Sequence, residues 1–256
     1  FGPHRRGLVV GVVVAGYGAA AVYIAPVAKE LIRGYGLTGS FVALGAAFAA
    51  VIVVAAQFLK MPPPGYVPPG PPAKATATAA DVTAADALRG WRLYALVFLF
   101  VASAQSGLLV IGNAVDLLKQ TAPEAASFAW LLASFGGLVN ATGRVGTGFY
   151  SDAVGRANAY ALNGLAWLLF LLVGVVYWQY GGTLSLMPAF TADFYGAKNL
   201  GLIYGLVFLG WGVAFFVPQA AGYIRDLTGS ANGAFHLSAG LLAAGVVVSR
   251  FVRKPG

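Results

Sequence analysis

Long apolar stretches recur along the whole chain. Each is close to or longer than the roughly 20 residues that a helix needs to cross the hydrocarbon core of a bilayer. Only 9% of the 256 residues are charged, whereas a soluble domain carries about 25% charged residues. The sequence therefore predicts an all-α, polytopic transmembrane helix bundle. The stretches cover residues 8–32, 40–59, 93–115, 125–150, 157–192, 200–224 and 231–249.

The stretch 157–192 is too long for one ordinary crossing and barely long enough for two. Lys and Arg concentrate in cytoplasmic loops, so their distribution decides between the two topologies. Two crossings, with an outer turn near residues 174–182, place eleven Lys and Arg residues on the cytoplasmic side and four outside, whereas one crossing gives eight against seven. We therefore expect eight helices with both termini cytoplasmic. The net charge of +8 then reflects topology and not a nucleic-acid partner.

Residues 61–92 interrupt the apolar pattern. They hold seven of the 13 prolines and then a run of small and polar residues up to residue 86. This composition is typical of a polyproline-like segment followed by a flexible linker. We expect residues 1–60 to form two helices, residues 61–92 to be a cytoplasmic linker, and residues 93–256 to form a six-helix bundle.

The composition also excludes several kinds of site. The chain has no cysteine and two histidines, and it contains no H-E-x-x-H motif. Thiol chemistry, disulfides and the common zinc sites are therefore ruled out. An integral-membrane enzyme is the rival class, and we predict no enzyme activity, no metal and no cofactor.

Arg144 lies inside the apolar stretch 125–150, where an arginine costs at least about 2.5–3.5 kcal/mol. Asn140 precedes it by four residues and so shares its helical face. An amide beside a guanidinium suits a water-filled path for an anion, because the planar fork of guanidinium donors matches a carboxylate. The alternative is that Arg144 snorkels to the cytoplasmic interface.

Other residues are weaker candidates for a substrate site. Gln105 and Asn113 lie eight residues apart, roughly on one helical face, and either line a cavity or bond across helices. Close glycine spacings allow either tight helix packing or sliding during transport. Four aromatic residues are candidates for the wall of a cavity, with a membrane-interface position as the alternative for Tyr180. They are Tyr17, Tyr180, Tyr204 and Trp211.

Residues 148–156 follow the pattern G-x-x-x-D-x-x-G-R, with Gly148, Asp152, Gly155 and Arg156 at its fixed positions. Gly155 permits a tight turn, while Asp152 and Arg156 are suited to capping or pairing with neighbouring helix ends. This pattern resembles the loop signature of the major facilitator superfamily, in the copy between its eighth and ninth helices.

Further segments resemble the oxalate/formate antiporter branch of that superfamily, which is related to monocarboxylate transporters. They are residues 5–7, 14–18, 62–70, 107–114, 180–182 and 188–201. The resemblance implies that the eight helices correspond to the fifth to twelfth helices of the family. The first four helices of the family are then missing, and the Pro-rich segment is the central cytoplasmic loop.

The resemblance implies secondary transport of a small organic anion by alternating access. Arg144 falls on the arginine of the eighth helix that contacts the substrate carboxylate, with Asn140, Tyr17, Gln105 and Asn113 as further substrate-site candidates. Trp211 stands where oxalate carriers have a second cation, a lysine, which favours a monocarboxylate. Alternatives are a transport-incompetent fragment or degenerate paralogue, or a carrier of a different small solute.

The implied partners are a small carboxylate, a coupling proton or exchanged anion, and the lipid bilayer. We expect a monomer in a prokaryotic cytoplasmic (inner) membrane. Asp193 and Lys198 lie on either side of the cytoplasmic end of the stretch 157–192. We expect them to form a structural gate pair beside the signature residues.

Overall fold

A computed structural model describes residues 5–60, 63, 66, 82–121, 123–169, 173–230 and 232–252. Regular structure in these ranges is helical, without a strand, which confirms the predicted all-α bundle. The α-helices are α1 (Arg6–Gly18), α2 (Ala20–Ala56), α3 (Ala84–Arg89), α4 (Trp91–Thr121), α5 (Ala129–Val154), α6 (Arg156–Leu169), α7 (Val173–Tyr195), α8 (Leu200–Ala214), α9 (Phe216–Thr228) and α10 (Asn232–Phe251). A short 3₁₀ helix, Pro123–Phe128, precedes α5.

Within the described ranges, four helical segments are long and apolar enough to cross a membrane by length and composition. Their mean hydropathy lies between 1.5 and 2.3, and they are Gly7–Ala56, Trp91–Asp116, Leu200–Thr228 and Asn232–Phe251. Large apolar side chains are exposed along them, including Phe41, Val53 and Leu209. Apolar surface of this extent is unfavourable in water and is favourable in contact with the lipid of a bilayer.

Gly36 interrupts the helical backbone of α2 between the stretches 8–32 and 40–59, for which two crossings stay a prediction. Its φ of 66° and ψ of −179° lie in a region that glycine reaches at little cost. The helix is therefore kinked at Gly36 within a nearly continuous run of helix. Ser40 stabilises the start of the second part by donating a hydrogen bond to the Gly36 carbonyl at 2.6 Å.

The stretch 157–192 contains α6 and α7, but the prediction of a turn near residues 174–182 is wrong. These residues lie inside α7, which begins at Val173, whereas residues 170–172 fall outside the described residues. The glycines at 181 and 182 let the backbone of α7 approach α5 instead of forming a turn. The described part of α6 has 14 residues, about 21 Å at 1.5 Å per residue, which is shorter than the hydrocarbon core of about 30 Å.

The end of the predicted flexible linker is docked on the bundle. Of the Pro-rich part, Pro63 and Tyr66 belong to the described residues. The Thr83 hydroxyl caps α3 by accepting the backbone N–H of Asp86 at 3.2 Å. The Val82 carbonyl accepts the side-chain amide of Asn199 at 2.8 Å. Residues 82–89 are therefore fixed to the connection between α7 and α8.

Helix α5 lies between α1 and α7 in direct backbone contact with both. A Cβ atom on Gly11 of α1 would lie 2.4 Å from the carbonyl oxygen of Arg144. A Cβ atom on Gly181 of α7 would lie 2.1 Å from the carbonyl oxygen of Asn140. Small residues permit this approach in lipid, where helix association depends on packing. Asn140 and Arg144 therefore lie on a helix whose backbone is packed closely on two sides.

Candidate functional site

The guanidinium of Arg144 lies inside the bundle, with the residue only 2% exposed. Its Nε donates to Oδ1 of Asn140 at 2.8 Å, and its Nη1 donates to the Val14 carbonyl of α1 at 3.1 Å. Its Nη2 is buried and has no acceptor in the described part of the chain. Two of the three guanidinium nitrogens are thus bound to protein, and the third carries unused donors.

The direction of this side chain opposes the snorkelling alternative. Asn140 lies one turn from Arg144 in the direction away from the signature segment 148–156. A snorkelling arginine would extend towards a helix end and water. Arg144 instead bonds to Asn140 and to a carbonyl in the neighbouring helix.

Aromatic side chains surround the guanidinium, and no carboxylate within the described ranges pairs with it. The Arg144 Cζ atom lies 5.1 Å from the centroid of the Tyr17 ring, a cation–π distance. Tyr180 and Tyr204 also lie within electrostatic range of Arg144. The site is therefore a cation enclosed by aromatic surface.

Trp211 joins this group through Tyr180. Its indole Nε1 donates to the Tyr180 hydroxyl at 3.0 Å. The Trp211 ring stacks on Phe208 with centroids 5.2 Å apart and meets Phe215 edge-on at 4.5 Å. Tyr204 contacts the other side of this row, 5.7 Å from Phe208. The four aromatic residues predicted to form a wall are thus linked to Arg144 directly or through each other.

Gln105 and Asn113 have partners elsewhere. The buried amide of Gln105 donates to the carbonyls of Ala102 at 3.0 Å and Ser238 at 3.1 Å, so it bonds across to α10. The amide of Asn113 donates to the Leu109 carbonyl of its own helix at 2.7 Å. These contacts do not bring either residue to Arg144, and their role at a substrate site stays a prediction.

The charged signature residues connect four helices at one end of the bundle, here called the signature-loop end. The Asp152 carboxylate accepts the backbone N–H groups of Gly7 and Leu8, each at 2.9 Å, at the N-terminus of α1. Arg156 donates to Asp152 at 2.6 Å and to Asp193 of α7 at 3.3 Å. A carboxylate at a helix N-terminus is stabilised by the helix dipole and by the free N–H groups.

The remaining signature residues shape the backbone. Gly155 ends α5 with a φ of 86°, in the region that glycine favours. A Cβ atom on Gly148 would lie 2.3 Å from the Gly7 carbonyl oxygen, so this position holds α1 against α5. Lys198 lies exposed between α7 and α8, and the gate role of Asp193 and Lys198 stays a prediction.

A buried polar cluster between α4 and α7 has no counterpart in the sequence-based prediction. Ser106 donates to the side-chain carbonyl of Gln179 at 3.2 Å. Ser103 contacts both Gln179 and Thr183 by short side-chain hydrogen bonds. The four-residue spacing of Gln179 and Thr183 is the one available signal, and serines and threonines are too common in membrane helices for that spacing to stand out.

A cavity of about 480 Å³ lies at the signature-loop end, separate from Arg144. Its polar lining comes from Arg156, Asn158, Asp193, Ser249 and Arg250. Its charged residues already have protein partners: Arg156 pairs with Asp152 and Asp193, and Arg250 donates to Asn158. The buried cation therefore marks the candidate substrate site better than the open cavity does.

No family model matches the chain. It is 27% identical over 226 residues to the uncharacterized MFS-type transporter YhjX of Escherichia coli (strain K12), a match that covers 82% of this chain and 55% of YhjX. It is 23% identical over 258 residues to the oxalate:formate antiporter of Oxalobacter formigenes, covering 87% of this chain and 60% of that protein. The chain thus spans less than two thirds of the length of either relative. Together with the apolar helices, these similarities support an integral membrane protein that is similar to a transporter of the major facilitator superfamily and to an oxalate:formate antiporter.

Proposed function

We propose that this chain takes part in secondary transport of a small monocarboxylate across a membrane. The observation that carries the proposal is the buried Arg144 guanidinium, whose Nη2 has no acceptor among the residues described. A carboxylate supplies acceptor oxygens in the geometry of a guanidinium fork. The two relatives support this assignment, because both are named as transporters and one as an antiporter of two carboxylates.

The charge of the site supports a monocarboxylate. Trp211 occupies the position at which the resemblance places a second cation, and it adds aromatic surface instead. One carboxylate balances one guanidinium. A second carboxylate would be buried without a partner, which is strongly unfavourable in a low-dielectric interior.

Alternating access is the mechanism that we propose for this movement. Asp152 and Arg156 hold α1, α5, α6 and α7 together at the signature-loop end. Separation of α1 from α5 there would open a path to Arg144, since α1 covers the guanidinium through Val14 and Tyr17. The same proposal includes coupling of the transport to a proton or to exchange for another anion. It also includes a monomeric protein in an inner membrane, with its signature-loop end on the cytoplasmic side.

Binding of radiolabelled formate and acetate to the purified chain in lipid nanodiscs tests the proposal. We expect Arg144→Gln to weaken binding at least about tenfold, as expected for loss of a charge-assisted hydrogen bond. Arg144→Lys should also weaken it, because an ammonium lacks the planar fork. Arg89→Gln is the matched control, since the Arg89 side chain is 83% exposed on α3.

Wild-type affinity in Arg144→Gln would overturn the proposed site. The same proteins in proteoliposomes separate binding from transport. Binding without uptake by the chain would favour the alternative of a transport-incompetent piece, whereas uptake that depends on Arg144 supports a carrier.

A further inference from the structure

We propose that Lys29 and Trp130 form a gate that closes one end of the contact between α1–α2 and α5, and so closes a route to Arg144. This pair is separate from the charged signature residues, which hold the other end of the same contact. The inference rests on the proposed function, because such a gate acts on transport only if an anion has to reach Arg144.

Helix α5 lies antiparallel to α1 and to the part of α2 that precedes its kink. At the end of α5, the Asp152 carboxylate bonds to the first backbone N–H groups of α1. Further back along α5, Arg144 donates to the Val14 carbonyl at 3.1 Å. Near the start of α5, the Ser134 hydroxyl donates to the Val22 carbonyl at 3.4 Å. The contact therefore follows α5 from its end to its beginning.

Lys29 and Trp130 extend this contact to the first turn of α5. The Lys29 Nζ atom lies 5.1 Å from the centroid of the Trp130 ring, a cation–π distance. Trp130 and Asp152 lie near opposite ends of α5. At 1.5 Å per residue they are about 33 Å apart, close to the thickness of a hydrocarbon core. The cation–π pair and the signature residues therefore hold opposite ends of one long helix contact.

The two ends are held by interactions of different strength. Asp152 makes charge-assisted hydrogen bonds to α1 and to Arg156, which are stronger than a cation–π contact of an exposed cation. Lys29 is exposed. It lies on the segment of α2 between Pro26 and the kink at Gly36, where the proline removes one helical hydrogen bond and permits bending. This segment can therefore move away from α5 at little cost, as a gate requires.

The helices are closely packed between the gate and Arg144. A Cβ atom on Gly137 of α5 would lie 2.8 Å from the Cβ atom of Ala21, and one on Gly18 of α1 would lie 2.7 Å from Oδ1 of Asn140. Arg144 itself is 2% exposed. An anion passes between these helices only when they separate, and separation from this end begins with the loss of the cation–π contact.

Thiol labelling near the gate measures this separation. The chain has no native cysteine, so Ser134→Cys provides a single thiol for maleimide in nanodiscs. We expect Lys29→Gln and Trp130→Leu each to accelerate labelling about two- to fivefold, the effect of losing a cation–π contact at an exposed position. Lys29→Arg keeps the contact and should restore the original rate. Arg33→Gln is the matched control, because it removes an exposed cation one turn further along α2.

A gate and a general loosening of the bundle differ in two further measurements. Lys29→Gln should not accelerate labelling of Ser151→Cys, because the contacts of Asp152 remain in place at that end. The exchange rate of isotope-labelled formate, measured from NMR line shapes, should rise about two- to fivefold in Lys29→Gln. Its equilibrium affinity should stay unchanged, because a gate alters access and does not contact the bound anion. Circular dichroism identifies any variant that does not fold, and Lys29→Gln and Trp130→Leu test the pair independently.

Unchanged labelling of Ser134→Cys in both Lys29→Gln and Trp130→Leu would overturn the gate. Equal acceleration at both ends of α5, or an equal effect of Arg33→Gln, would overturn it as well. Labelling is measured without a carboxylate, so its outcome does not depend on the ligand of Arg144. Retained formate affinity in Arg144→Gln overturns the proposed site, whereas lost affinity there combined with unchanged labelling overturns only the gate.

Discussion

Asn140 accepts the Nε–H of Arg144 at 2.8 Å across one turn of α5. The amide orients the guanidinium without neutralising it. Asn140→Asp would place a carboxylate at the same distance and create a buried ion pair. We therefore expect formate and acetate affinity to fall at least about tenfold, because the positive charge would already be balanced. Equilibrium binding in nanodiscs measures the effect.

The matched control for this change is Asn158→Asp. The Asn158 side chain accepts the Arg250 guanidinium at 3.3 Å in an exposed position at the signature-loop end. An exposed pair contributes at most about 1 kcal/mol, so binding should not change. If both aspartate variants bind anions like wild type, the charge of Arg144 does not hold the ligand.

The carboxylate of Asp152 joins the start of α1 to Arg156. Asp152→Asn removes the charge from these hydrogen bonds, and we expect a loss of about 1.5–3 kcal/mol in the free energy of unfolding, the usual contribution of hydrogen bonds to charged groups. Denaturation in mixed detergent micelles measures this loss. Asp86→Asn is the control, because the Asp86 side chain is 59% exposed on α3.

The same variant should open the signature-loop end. Ser151 is 1% exposed beside Asp152, and the chain has no native cysteine. Ser151→Cys therefore provides a single thiol, whose maleimide labelling should accelerate in the Asp152→Asn background. Equal labelling rates in both backgrounds would show that Asp152 does not keep this end closed.

Gly11 and Gly16 of α1 offer a paired test of the α1–α5 contact. A Cβ atom on Gly11 would meet the Arg144 carbonyl oxygen at 2.4 Å, whereas one on Gly16 meets nothing within 4 Å. We expect Gly11→Ala to destabilise the protein by about 1–3 kcal/mol through overpacking against backbone. Gly16→Ala should be neutral or slightly stabilising, since alanine favours helix. Equal thermal stabilities of the two variants would contradict the observed packing.

Local features of the sequence predicted much of the fold and part of the site. The apolar stretches correspond to helices because length and composition alone determine whether a segment can be buried in lipid. The four-residue spacing of Asn140 and Arg144 placed both on one face, and the structure joins them directly. The capping and pairing expected of Asp152 and Arg156 are also observed.

Contacts between distant segments were beyond sequence reasoning. The Val14 acceptor of Arg144 is a backbone carbonyl 130 positions earlier, so no side-chain pattern marks it. The bond between Trp211 and Tyr180 depends on how α7 meets α8. The turn expected near residues 174–182 is absent because glycine suits both a turn and a close helix contact, and charge counts do not distinguish the two.

The hydrogen bond from Arg144 Nη1 to the Val14 carbonyl has a thermodynamic consequence. It crosses from α5 to α1, so displacement of α1 removes one acceptor and leaves the guanidinium with greater demand for an outside partner. An anion that competes for Nη1 weakens the attachment of α1. By thermodynamic linkage, release of α1 strengthens anion binding by the same factor. Ligand affinity and helix separation are thereby two measurements of one free energy.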